Sequence, residues 1–191
     1  MNSFKSAVLS EAALALFIGS VLTAIGMFFG AKMSIGVAIG GLILGIGCIF
    51  GVMYSKSVVA RKLMLWYVAS FMLFCCSTKL ASASVIAITM AAIITAFLIA
   101  AANAFYTRFS VTSMFMFSLI GLIAILILSI FGTQGILFSI LGAVVFFGCI
   151  MLDFATLEEH NNPEAAAMSL VTSVVNLFSF ILDICSLKFW D

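Results

Sequence analysis

The sequence predicts an all-α integral membrane protein, a single domain over residues 1–191 built as a seven-transmembrane-helix bundle. Three observations predict it. Of the 191 residues, 65% are hydrophobic and only 8% charged, with a mean hydropathy of +1.38; an ordinary soluble domain carries about 25% charged residues. Apolar stretches recur along the chain at about the 20-residue length that takes a helix across the hydrocarbon core of a bilayer. Most charged residues, and the one proline, Pro163, fall at or between the ends of those stretches.

The stretches follow in order. Ala7–Gly30 is too long for the apolar core of a cleavable signal, and Glu11 interrupts its start, so it reads as a first membrane helix. Ser34–Tyr54 carries glycines in small-xxx-small spacing (Gly36 and Gly40, Gly41 and Gly45, Gly47 and Gly51). That spacing lets helix backbones approach closely, and it suits packing within the bundle as well as dimerisation. Lys62–Thr78 is short and is closed by Ser77, Thr78 and Lys79; fused with the next stretch, Ser82–Tyr106, it would be too long for one crossing. Thr112–Phe131, Gly135–Leu157 and Ala165–Phe189 complete the seven, and connections of a few residues leave no room for a soluble domain. Pro163 falls in the last of these, the acidic loop Glu158, Glu159, His160, Asn161, Asn162, Pro163, Glu164. This loop reads as a solvated turn, or as a means of concentrating cations at a cavity mouth.

Charge and composition exclude several functions. With a net charge of +1 and no basic run, nothing is arranged to meet nucleic-acid phosphates. The five cysteines, Cys48, Cys75, Cys76, Cys149 and Cys185, lie within spans without a CxxC pair and read as small packing residues. His160 alone is no metal site, since zinc needs three or four ligands. No cofactor is expected. Lys5, Lys56, Arg61, Lys62 and Arg108 lie on the N-terminal side of the membrane, against Lys32, Lys79 and Lys188 opposite. Basic residues prefer cytoplasmic loops, so this count favours a cytoplasmic N-terminus.

Asp153 lies inside Gly135–Leu157. An ionised carboxylate at such depth costs about 2.5–3.5 kcal/mol on insertion scales, so it faces protein or water and is a candidate functional residue. The last two stretches form a hairpin centred near Asn162, which puts Asp153 level with Thr172 and Ser173. Asp183 falls roughly 15 Å deeper at 1.5 Å per residue. The two aspartates are therefore not expected to share a proton, and an intramembrane aspartyl protease, like enzymatic activity in general, is not expected. Lys56 exits on the same side and is a candidate partner for Asp153, with Arg61 and Lys62 as rivals in the loop or at the interface. Ser169, Thr172, Asn176, Ser179, Asp183 and Ser186 repeat at helical spacing and share one face of the last span. This stripe suits interhelical hydrogen bonds or a hydrated path; Asp183, near Lys188, also suits an interfacial position with access to water.

The stretch FFGCIMLDFAT, Phe146 to Thr156, resembles the sixth-helix motif of the Bax-inhibitor (transmembrane Bax inhibitor motif) family: Asp153 matches its aspartate, and Leu152 replaces its usual aromatic. AMSLVTSVVNLFSFIL, Ala167 to Leu182, resembles the final-helix motif through Ser169, Leu170, Asn176, Leu177 and Phe178. Thr95 to Leu122 is similar to the fourth and fifth helices. The resemblance implies a seven-helix fold. In calcium-leak members a second aspartate precedes the Asn-Leu-Phe motif and forms a pH-sensitive pair that latches a pore; here that position is Ser173. A serine cannot share a proton as a carboxylate does, so a two-carboxylate pH sensor is not expected. Serine there resembles a bacterial branch whose members modulate a membrane-anchored AAA protease of the FtsH type. The basic residue that closes the latch in leak-type members falls on Lys56.

The resulting expectation is a cation leak or ion-homeostasis protein passing calcium transiently, with Asp153 at the gate, Ser173, Thr172, Asn176 and Asp183 along the path, and Lys56 as latch partner. The rival is a non-conducting modulator of a membrane protease. The short N-terminal segment, without a proline-rich tail, suits a bacterial inner membrane; an intracellular eukaryotic membrane is the alternative.

Overall fold

The computed structural model of the chain describes residues 3–28, 35–77, 110–130, 135–160 and 162–186, with isolated helical positions between residues 89 and 99. The helices are α1 (Ser3–Phe28), α2 (Ile35–Tyr54), α3 (Val58–Ser77), α4 (Val111–Ile130), α5 (Ile136–Ala155) and α6 (Pro163–Ser186), with a 3-10 turn at Leu157–Glu159 before α6. Among the described residues, these six α-helices are long and apolar enough to cross a membrane. Apart from the isolated positions, the stretch Ser82–Tyr106 lies outside the described residues.

α1 begins at Ser3, four residues before the expected Ala7. Two other helix starts differ from the sequence reading, each for a local reason. α3 begins at Val58, four residues before the expected Lys62, because Ser57 caps it: the Ala60 amide donates to Ser57 Oγ at 3.4 Å. Arg61 and Lys62 therefore occupy the first turns of a helix rather than a loop. α6 begins at Pro163, two residues before the expected Ala165. The Ala165 amide donates to Asn162 Oδ1 at 2.7 Å, so Asn162 is the cap and Pro163 the first helical residue, where its missing N–H is no loss.

The helices fall into two compact units, Met1–Thr78 with Leu157–Thr172, and Lys79–Thr156 with Ser173–Asp191. In the first unit α1 and α3 run parallel. Glu11 meets Lys62 at one end of the seam, and Thr23 donates to the Ser70 carbonyl further along. Gly19 brings the helices close, since a Cβ there would lie 3.1 Å from Ala69 and Ser70 backbone atoms. Val8, Ala12, Ala15, Leu65, Val68 and Ala69 form the buried core around the seam. α2 runs antiparallel to α3, with Gly41 against Phe71 and Gly51 against Met64. The glycine-rich face thus divides, because at Gly36, Gly40, Gly45 and Gly47 a Cβ would meet nothing within 4 Å.

In the second unit α4 and α5 are antiparallel, with Gly121 over Val145 and Gly148 over Phe117. The trailing half of α6 packs on α5 through Phe180. Its ring sits over Gly142 and lies 5.6 Å from the Phe138 ring and 5.7 Å from that of Phe146. α2 and α4 leave Leu42, Ile43, Phe50, Ile120, Ile123 and Leu126 exposed, as suits helices that face lipid.

Candidate functional site

Two carboxylic acids are buried among the described residues: Asp153, 7% exposed, and Glu164, 3% exposed. The sequence reading singled out the first and left the second in a solvated loop. Asp153 sits two residues before the end of α5, on the face that also buries Ser139, Gly142, Val145 and Ile150. Ser173, 7% exposed, is the buried polar residue of α6 in the same unit.

The Phe180–Gly142 contact sets the depth of these residues. Counting from it at about 1.5 Å per residue, Asp153 lies about 16 Å along α5 and Ser173 about 10 Å back along α6, so they are separated in depth by about one helical turn. Asp183 lies beyond Phe180 in the opposite direction, about 20 Å from Asp153 along the helices. On this count the two aspartates lie far apart along the hairpin.

The stripe on α6 has a uniform character. Ser169, Thr172, Asn176, Ser179, Asp183 and Ser186 are all half-buried, while the closest packing falls on Ala166, Ala167, Leu170, Val171, Val175, Leu177 and Leu182. Thr172 Oγ1 donates to the Met168 carbonyl at 2.8 Å, and Ser186 Oγ donates to the Asp183 carbonyl at 3.1 Å. Part of the stripe's hydrogen bonding is therefore satisfied within its own helix.

The basic residues at this end divide between the α2–α3 link and the start of α3. Lys56 is exposed in the three-residue link between α2 and α3. Its neighbours in α3 hold the carboxylates of the first unit. Arg61 Nε donates to Glu164 Oε2 at 3.1 Å, with side chains 12% and 4% exposed, and Arg61 Nη1 donates to the Ser55 carbonyl at 3.0 Å. Lys62 Nζ donates to Glu11 Oε1, while Glu11 Oε2 is buried and accepts no hydrogen bond. Lys62 also feels the charge of Glu164, so the four residues form one electrostatic cluster where α1, α3 and α6 begin. Glu164 occupies the first turn of α6, where the helix dipole favours its negative charge. Sequence reasoning missed this cluster, although Ser57 as a cap for α3 and Asn162-Pro163-Glu164 as a helix start were visible signals. Among the described residues, no three His, Cys, Asp or Glu side chains gather as metal ligands.

A search of curated proteins finds no match to this chain. The sequence model of the family described as Inhibitor of apoptosis-promoting Bax1 matches residues 5–189. That match takes in all six described membrane helices apart from the first two residues of α1, and it includes Asp153, Glu164 and the α6 stripe. The chain is therefore an integral membrane protein that belongs to the Bax-inhibitor family.

Proposed function

We propose that this protein is a cation leak or ion-homeostasis protein, with calcium as cargo and Asp153 at the gate. The burial of Asp153 carries the reading. A carboxylate only 7% exposed in a 20-residue apolar helix costs free energy that apolar packing would avoid, and such residues mark ion and proton pathways. On this reading Asp153 and Ser173 belong to the constriction, and Thr172, Asn176 and Asp183 hydrate the path. Lys56 is the residue that the family resemblance assigns to closure. The test is calcium flux into liposomes carrying the purified protein. Wild type should leak several-fold faster than empty vesicles, and Asp153→Asn should change that rate. If neither protein leaks faster than empty vesicles, the reading fails.

One observation favours a second reading. Ser173 stands where leak-type relatives carry a second carboxylate, as in the branch that modulates a membrane-anchored AAA protease. Co-purification of such a protease, together with absent flux, decides for that reading.

The proposal includes seven crossings, with residues 82–106 supplying the one not among the described helices. It also places the N-terminus in the cytoplasm and the protein in a bacterial inner membrane.

A further inference from the structure

We propose that Glu11, Arg61, Lys62 and Glu164 form a clasp that seats the leading half of α6, and that neutralising the clasp lets this helix shift. The proposal does not depend on the leak reading. Arg61 and Lys62 are consecutive, yet they reach different helices: Arg61 holds Glu164 on α6, and Lys62 holds Glu11 on α1. The second arm of Arg61 on the Ser55 carbonyl ties the same cluster to the α2–α3 link. One group of charges thus joins four chain segments of the first unit.

The packing beside the clasp is close but made by small side chains, since Ala166 and Ala167 are fully buried. α6 opens with Glu164 followed by Ala165, Ala166 and Ala167, so its first full turn offers methyl groups in place of large side chains that would fix its register. Small faces let helices approach and slide, and the charged pairs then set the position. The clasp is also incompletely satisfied, because Glu11 Oε2 is buried without a donor. A buried polar atom left unpaired carries a desolvation cost.

The position of α6 matters beyond the clasp. Its residues Pro163–Thr172 belong to the first unit, and Ser173–Ser186 belong to the second. Ser173 begins the second portion, and Asn176 and Asp183 follow on the same continuous helix.

Amide hydrogen exchange on the full chain in nanodiscs tests this. Glu164→Gln and Arg61→Gln should each raise exchange at the amides of residues 167–172 by about tenfold, with α4 and α5 unchanged. The double exchange Arg61→Glu with Glu164→Arg should restore most of the protection. Unchanged exchange in both single variants overturns the clasp. Exchange rising equally in α4 and α5 also overturns it, because the pair would then stabilise the whole fold and seat no particular helix. Failure of the charge swap to restore protection overturns the pairing itself. If Glu164→Gln does not fold, Arg61→Lys keeps the charge but loses the second arm to Ser55. It should give a smaller rise confined to the same amides, and no rise counts against the clasp.

Discussion

Arg61 and Lys62 are adjacent basic residues with unequal consequences for stability. Arg61 faces a carboxylate only 4% exposed, so Arg61→Ala strands Glu164 as an uncompensated buried charge. Breaking a buried pair from one side costs about 3–5 kcal/mol. Lys62 is 34% exposed, and water screens its pair with Glu11, so Lys62→Ala should cost about 1 kcal/mol. Denaturant unfolding of the purified full chain in detergent compares the two, and equal losses would contradict this ranking. The residue scale is also where the sequence was least legible. Asp153 was visible because it interrupts an apolar run. Glu164 was hidden because it sits among other polar residues, and its partner lies 103 positions away. No local pattern announces a pair at that separation, whereas a lone acid in an apolar span announces itself by its cost.

At the scale of helices, spans follow from hydropathy and their starts follow from capping. The apolar pattern located four of the six described helices to within two residues at their starts. It set α1 and α3 four residues late, α3 because Arg61 and Lys62 look like loop residues until Ser57 is recognised as a cap. Glycine spacing proved weaker still. The same small-xxx-small signal covers Gly41, which packs on Phe71, and Gly40, which a Cβ would leave clear by 4 Å. The contact that organises the second unit lies elsewhere, at Gly142, where a Cβ would come within 2.3 Å of Phe180 Cδ1. That ring is flanked by Phe138 and Phe146 and has little room to yield. Gly142→Ala should therefore destabilise by about 1–3 kcal/mol through overpacking. Gly40→Ala should be neutral or stabilising by up to about 1 kcal/mol, since it relieves a helix-interior glycine. Thermal unfolding in detergent measures both. A loss at Gly40→Ala as large as at Gly142→Ala would mean that a second copy or another chain covers this face of α2.

For the whole molecule, the ion pair between Arg61 and Glu164 constrains the number of crossings. Glu11 and Lys62 place the starts of α1 and α3 on one side of the membrane, and Arg61 brings the start of α6 to the same side. From that side α1, α2 and α3 cross three times, and α4 and α5 cross twice more. Five crossings would leave α6 starting on the opposite side, out of reach of Arg61. One further crossing, expected of residues 82–106, would restore the parity and make seven. Cysteine substitutions labelled by a membrane-impermeant maleimide test this. Ser3→Cys, Lys56→Cys, Ser110→Cys and Glu159→Cys should label from one side, and Gly36→Cys and Gly135→Cys from the other. Ser110 is the decisive position, because it changes sides if the extra crossing is absent. The shared side should be the cytoplasmic one, since it carries Lys5, Lys56, Arg61, Lys62 and Arg108 against Lys32, Lys79 and Lys188. Two of those five, Arg61 and Lys62, are neutralised by partners, which narrows the bias. Labelling Ser110 together with Gly36, on the side opposite Ser3 and Lys56, would break the parity argument, whichever side is cytoplasmic.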